Sequence, residues 1–223
     1  MITTICQWFV KLTGWIPQAL IFRIRVHYED RAVQDKRIRG KAIVISNHTD
    51  LMDFAVLMFV FWRRTLRCAV AELMYEKNFV MTLLLKALGT VRVNRTDHDF
   101  SFLGKCRQIL DRGGVVEIFP EARLPEPDEE RPLPFKPSAV YLALESGAPI
   151  IPVYNSGEHF ANKPLHVVIG TPIDVRALYN DALSEKENIA HITEYLRGKV
   201  IELGKTIEPN APQTEEKEEC VRV

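Results

Sequence analysis

From residue 40 onward the hydrophobic pattern of the chain keeps switching between two periods. Ala42–Ser46, Leu66–Leu73, Thr90–Val93, Val115–Phe119, Pro149–Tyr154 and Leu165–Gly170 are short apolar or alternating runs, and each reads as a strand. Helix signals fill the intervals. About Asp50–Trp62 runs into Arg63-Arg64, cations suited to a helix C-terminus, and Asn78 is an N-cap for a helix to Leu88 with Gly89 as its stop. Thr96 or Asp97 caps a helix to Arg112, ended by Gly113-Gly114. Pro137 opens a helix to Glu145, closed by Ser146-Gly147-Ala148, and residues 182–203 make the last helix. Leu124 to Pro134, dense in prolines and acids, is a loop. Strands alternating with helices leave few arrangements. The expectation is an α/β fold, a single domain whose mixed, largely parallel sheet is covered by helices.

The two ends read differently from this middle. Residues 1–30 are expected to form an N-terminal membrane-associating helical segment, 31–208 the α/β domain, and 209–223 an acidic disordered tail. Near the start, Ile5, Trp8, Leu12, Trp15 and Ala19 recur at helical spacing opposite Thr4, Gln7, Lys11 and Gln18, an amphipathic interfacial pattern. Lys11 interrupts the apolar run. Gly14 and Pro17 are expected to break the helix before the roughly 20 residues a bilayer crossing needs. A helix packed on its own domain shows the same pattern, but the tryptophans and the basic residues from Arg23 to Lys41 favour a membrane surface.

A formal net charge of zero hides an asymmetry: residues 1–112 hold 18 Lys+Arg and 10 Asp+Glu, residues 113–223 hold 11 and 19. The basic half suits an anionic membrane, whereas no basic stripe is interleaved with base-stacking aromatics, which speaks against nucleic acid. Cys6, Cys68, Cys106 and Cys220 form no CxxC pair, and His27, His98, His159, His166 and His191 have no ligand partners at useful spacing. These five histidines read as surface or packing residues, with no metal site and no cofactor expected.

The chemistry concentrates at Ser46-Asn47-His48-Thr49-Asp50-Leu51-Met52-Asp53, just after the first of these strands. Positions five apart in a regular helix are rotated by roughly 140° and point apart. His48 and Asp53 meet only if His48 lies on the turn before the helix and Asp53 in its first turn. Asp53 then accepts from one imidazole nitrogen, fixes the tautomer and leaves the other nitrogen as a base. Asp50 and Asp53 also stand where capping acids stand, so capping and catalysis both fit this stretch taken alone. Other strand ends and a helix start add Gly89 and Arg95, Glu121 and Arg123, and Lys136. Two arginines and a lysine so placed suit a phosphate, although singly each also reads as a solvated surface residue.

In this order the stretches resemble the four blocks of the glycerolipid acyltransferases, the family typified by 1-acylglycerol-3-phosphate acyltransferase. Asn-His-x-x-x-x-Asp matches Asn47–Asp53, the Gly-to-Arg block Gly89–Arg95, Phe-Pro-Glu-Gly-Thr-Arg the segment Phe119–Arg123, and a short apolar block with proline Ile150–Val153. The third block departs from the pattern, with Ala122 in place of glycine and Arg123 one position early. The resemblance implies transfer of an acyl chain from acyl-CoA or acyl carrier protein to the hydroxyl of 1-acylglycerol-3-phosphate, giving phosphatidic acid, without a covalent acyl-enzyme. It implies His48 as general base, Asp53 as its orienting partner, and Asn47, Gly89, Arg95, Glu121 and Arg123 around the acceptor, to which the reading of the helix start adds Lys136. The expected partners are a lysophospholipid acceptor, the thioester donor as co-substrate and the cytoplasmic face of a membrane. Glycerol-3-phosphate or another lysophospholipid is the rival acceptor, and a catalytically silent lipid-binding protein of the same fold the rival class. Leu51, Met52, Phe54, Leu57, Met58, Phe61, Trp62, Val80 and Leu83–Leu85 could line an acyl groove or simply form core.

Overall fold

A computed structural model describes residues 2–76, 78–94, 101–126, 128–157 and 163–207. Seven strands form one sheet: β1 (Arg25–Tyr28), β2 (Ala42–Ser46), β3 (Leu66–Ala71), β4 (Val91–Val93), β5 (Val115–Ile118), β6 (Ile150–Asn155) and β7 (His166–Ile169). Their order is β1-β7-β6-β2-β5-β3-β4. Every pairing is parallel except β6 with β7, so β1 and β7 run against the rest. The fully buried β2, β5 and most of β6 sit in the middle of the sheet. Continuous apolar runs are what a strand covered on both faces requires.

Alternate residues of β2 feed two cores. Ile43 and Ile45 pack beneath α5 (Ser101–Asp111), α6 (Ser138–Ser146) and α7 (Glu185–Lys205), while Ala42 and Val44 face α2 (Asp53–Val60). Two further helices, α3 (Glu72–Glu76) and α4 (Phe79–Leu88), join β3 to β4. Asn78 caps α4 through its side chain, which accepts from Met81 N at 2.7 Å, and Gly89 closes it in the left-handed conformation, as their residue types predict. A capping box of Ser184 and Glu187 opens α7. The expected strand at Leu66–Leu73 is shorter, because α3 starts at Glu72. The edge strand β1 falls inside the segment read as helical. Thr96 and Asp97, as caps of α5, and the tail 209–223 lie outside the described residues.

The N-terminal helix corrects one expectation. It does not break at Gly14 or Pro17 but runs unbroken as α1 (Ile2–Ile21), with Pro17 inside it. Gly14 is seated on the Phe59 ring, where a Cβ would come within 2.8 Å of Cζ. Trp8 and Trp15 pack edge-on against Trp62 at 5.9 and 4.8 Å between ring centroids, bracing the helix on both sides of Gly14. Its polar face points inward. Gln7 pairs with both backbone groups of Leu66, at 2.7 and 3.1 Å. Lys11, fully buried, donates to the carbonyls of Phe61, Trp62 and Arg64 at 3.3, 3.0 and 2.5 Å. The outward face is the apolar one: Ile2, Ile5, Phe9, Leu12, Ile16 and Leu20 form an exposed stripe. Alongside, α4 packs on α1 and exposes Phe79, Val80, Leu83 and Leu84. No described helix is long and apolar enough to cross a membrane.

Candidate active site

The loop between β2 and α2 is built around one carboxylate. Asp53 is the first residue of α2 and its side chain is completely buried. Its Oδ2 accepts from Thr49 N at 2.6 Å, Asp50 N at 3.0 Å and His48 Nδ1 at 2.8 Å. Its Oδ1 accepts from Thr49 Oγ1 at 3.0 Å and Asn155 Nδ2 at 2.7 Å. Donors on every side make this a site for an ionised carboxylate, since burying a charge is tolerable only when it is fully hydrogen-bonded. The expected geometry is met: His48 lies on the preceding turn and Asp53 in the first turn of the helix. Asp50 is not the helix cap. Met52 occupies that position, and Asp50 Oδ1 instead accepts from Met52 N at 2.8 Å.

With Nδ1 donating to Asp53, the other imidazole nitrogen, Nε2, carries the lone pair, and it has no partner among the described residues. The ring stacks on Phe119 at 4.5 Å between centroids and is 16% exposed, so one edge of it reaches solvent. Its backbone is fixed as well: His48 N donates to Glu121 Oε1 at 2.7 Å. Glu121 Oε2 accepts from Leu133 N at 2.9 Å. Burial pushes the Glu121 carboxyl up, against these two amides. Both of its oxygens are thus engaged in holding the β2–α2 loop to the segment after Pro132. Asn47 holds the other side. It exchanges two 2.8 Å hydrogen bonds with the Asn155 backbone and so extends the β2–β6 ladder by a side chain.

The remaining expected residues divide. Lys136 is exposed, and its backbone N–H donates to Pro120 O at 2.8 Å, which brings it beside Glu121. Arg123 forms a fork with both oxygens of Glu129 in the proline-acid loop, so its guanidinium is already paired with a carboxylate. Ala122, between Glu121 and Arg123, has φ 62°, the left-handed region that glycine adopts without cost. Gly89 lies elsewhere. It precedes β4, at the opposite end of the sheet from His48, and a Cβ there would fall on the Arg67 guanidinium. Arg95 lies outside the described residues.

Asn155, Thr49 and Phe119 belong to this site by contact, yet the sequence reading gave none of them a role. Asn155 had one signal, a polar residue ending a buried apolar strand, and it is buried at 1% exposure. Leu57, Met58, Phe61 and Leu85, weighed as groove or core, are core, while Leu51, Val80, Leu83 and Leu84 are exposed. His27 and His166 pair across β1 and β7, Nε2 to Nδ1 at 2.9 Å.

An α/β domain that gathers a histidine, a buried carboxylate and an arginine-bearing loop at the ends of parallel strands defines a ligand site at the mouth of the sheet. The chain belongs to the acyltransferase family, whose model matches residues 23–156. Human 1-acyl-sn-glycerol-3-phosphate acyltransferase beta is 28% identical over 155 residues, 69% of this chain and 55% of that protein. The 1-acyl-sn-glycerol-3-phosphate acyltransferase of Haemophilus influenzae is 26% identical over 213 residues, covering 91% of this chain and 83% of its own. The chain thus spans most of the bacterial relative but about half of the human one. The crystal structure of the 1-acyl-sn-glycerophosphate acyltransferase from Thermotoga maritima shares the fold, with a TM-score of 0.62 and 21% identity over 89% of this chain and 79% of that one.

Proposed function

We propose that this protein transfers an acyl chain from a thioester, acyl-CoA or acyl carrier protein, to the free hydroxyl of 1-acylglycerol-3-phosphate, giving phosphatidic acid. The observation that carries the reading is the His48 Nδ1–Asp53 Oδ2 hydrogen bond of 2.8 Å, which leaves Nε2 as an acceptor at the open edge of the ring. Nε2 takes the proton of the acceptor hydroxyl as its oxygen attacks the thioester carbonyl. The tetrahedral adduct collapses, the C–S bond breaks, and the imidazolium returns the proton to the departing thiolate. Asp53 stabilises the imidazolium in between. The substrate supplies the nucleophile, so no acyl-enzyme forms. Lys136, beside Glu121, and Arg123, once exchanged from Glu129, are the described cations that meet the acceptor phosphate, with Arg95 as the third.

The relatives' names support the acceptor, and the exposed stripe of α1 with the exposed residues of α4 supports docking on a membrane surface. The test is a product assay with purified protein, offering lysophosphatidic acid, glycerol-3-phosphate and a neutral lysophospholipid, each with both donors. Phosphatidic acid forms fastest, and His48→Ala abolishes it while melting like the parent. Faster turnover of another acceptor would replace the assignment of substrate, and equal turnover by His48→Ala would end the mechanism. Binding of lysophosphatidic acid with no turnover by the parent protein would favour the silent lipid-binding reading.

A further inference from the structure

At the other end of the sheet, where β3 and β5 begin, the structure has a cavity of about 560 Å³ between the first turn of α1 and one face of α5. Its polar lining is Thr3, Thr4, Thr65, Arg67, Lys105, Gln108 and Arg112, with no carboxylate among the described lining residues. Among the described residues Arg67 spends its guanidinium on neutral acceptors, Nη1 on Leu88 O at 2.8 Å and Nη2 on Thr4 Oγ1 at 3.1 Å. Five N–H donors on a planar fork leave further donors for a ligand. Lys105 on α5 and Arg112 on the turn just after it both line the cavity, and neither has an ion pair among the described residues. Arg107, on the same helix, shows the contrast: it is held by Asp111 at 3.1 Å and faces Glu145 at 3.9 Å. Three positive charges converging on a recess without acids create a standing attraction for an anion.

The cavity also touches both helices that carry the exposed apolar residues, through Thr3 and Thr4 of α1 and Gly89, the C-cap of α4. Gly89 is required here in two ways. Its φ of 71° ends the helix, and its missing side chain admits Arg67 to the cavity wall. A cationic recess at the rim of an apolar face matches a phosphate group attached to an acyl chain, the headgroup at the rim and the chain along the apolar residues.

We propose that this cavity is a second phosphate-binding site, separate from the His48 site, which receives a phosphomonoester. Arg67 and the first turn of α1 form its floor, and Lys105 and Arg112 its electrostatic gate. Lipid headgroups and soluble phosphates share this chemistry, and the experiment separates them. Full-length protein is sedimented with vesicles of phosphatidylcholine alone, or of phosphatidylcholine containing phosphatidic acid or, at matched charge, phosphatidylglycerol. Inorganic phosphate and glycerol-3-phosphate are titrated without vesicles, with Thr3, Thr4 and Arg112 amide signals as readout.

Each basic residue at an anionic surface is worth about fivefold in affinity, so Lys105→Gln/Arg112→Gln weakens binding to phosphatidic acid vesicles about 25-fold. Binding to phosphatidylcholine alone stays unchanged. The charge-matched control Lys186→Gln/Lys205→Gln, on α7, leaves both unchanged. If the soluble phosphates saturate the amide shifts and the phosphatidic acid vesicles give no gain over phosphatidylglycerol, the natural ligand is soluble. Equal losses in the two double variants would mean general surface charge and overturn the site. So would unchanged vesicle binding by Lys105→Gln/Arg112→Gln together with no phosphate titration. Neither arm needs turnover, so its failure is distinguishable from failure of the acyl-transfer reading.

Discussion

Asp53→Asn separates the two jobs of this carboxylate, holding a loop and charging a histidine. The three described donors to Oδ2 are N–H groups, from His48, Thr49 and Asp50. The asparagine oxygen must therefore take that side, and its nitrogen must face Thr49 Oγ1 and Asn155 Nδ2. The threonine hydroxyl can turn and accept. The Asn155 amide cannot flip without losing the bond its Oδ1 accepts from Gly157 N at 3.1 Å. One of the five described hydrogen bonds to the charge is lost and four weaken by about 1–1.5 kcal/mol each, about 5.5–9 kcal/mol in all, of which the lower cost of burying a neutral amide offsets part. That is large but within the roughly 5–15 kcal/mol of an ordinary domain. In catalysis His48 Nδ1 still has an acceptor, so the ring keeps its tautomer, but nothing neutralises the imidazolium. Base catalysis worth about 10²–10⁴-fold is then mostly lost, which is about 3–5 kcal/mol in the transition state. The assay is thiol release at saturating donor, read as kcat and KM for the acceptor below the variant's own Tm. A fall in kcat with little change in KM is expected. An Asp53→Asn enzyme that is folded and retains a third or more of the parent's kcat would refute the dyad.

Ala122→Gly removes the only left-handed alanine of the described chain, at φ 62°. The strain of about 1–2 kcal/mol, less the entropy glycine adds to the unfolded chain, leaves a gain of about 0.5–1 kcal/mol in urea unfolding. Glu117 is buried on β5 with Oε1 unpartnered, and burial pushes its carboxyl well above the ordinary 4.5, with the nearby Asp53 charge adding to the shift. Above about pH 4.5 the unfolded chain therefore loses a proton that the folded chain keeps, and stability falls as pH rises toward the folded pKa. Glu117→Gln flattens that fall, so it stabilises the protein at neutral pH and changes little at pH 4, measured as Tm against pH. Lys11 works the other way: burial brings it down to about 8, so between there and its ordinary 10.5 the folded state releases its proton first and stability rises with pH. Lys11→Met eliminates this rise. Leu12→Glu/Leu83→Glu, both exposed, leaves the unfolding free energy within about 1 kcal/mol of the parent and abolishes vesicle binding. Unchanged pelleting would move the membrane face elsewhere.

What could be read from residues alone follows a physical line. Signals that act within a few residues of each other survived: the Asn78 cap, the Gly89 stop, the buried run of β2, and the turn that lets His48 meet Asp53. Features decided by contacts distant in sequence did not. β1 is four residues long and half-exposed, recognisable as a strand only once β7 lies beside it. Asn155 reaches Asp53 from 102 positions away, and nothing local marks it as part of the site. Arg123 reads as a free phosphate ligand until the loop brings Glu129 onto it. Gly89 sits in the same block as Arg95, and the length of β4 puts the glycine at the far end of the sheet.

The helix α1 shows why amphipathicity alone does not say which face is outside. Its polar residues are consumed by backbone groups that would otherwise go unpaired: Gln7 completes the edge at Leu66, and Lys11 caps the carbonyl end of α2. That end of α2 is a good place for a cation, and three carbonyls offset much of the cost of burying it. Asp53 stands at the other end of the same eight-residue helix. One short helix is thus held by α1 at its C-terminus and carries the orienting carboxylate at its N-terminus. On the proposed function, the element that meets the bilayer and the element that orients the base are consequently joined through a single rigid piece. Covering one exposed leucine or isoleucine is worth about 1.5–3 kcal/mol, and the outward stripe of α1 carries several. Docking therefore has ample free energy to hold α1 against α2, and it needs no movement of His48 to do so.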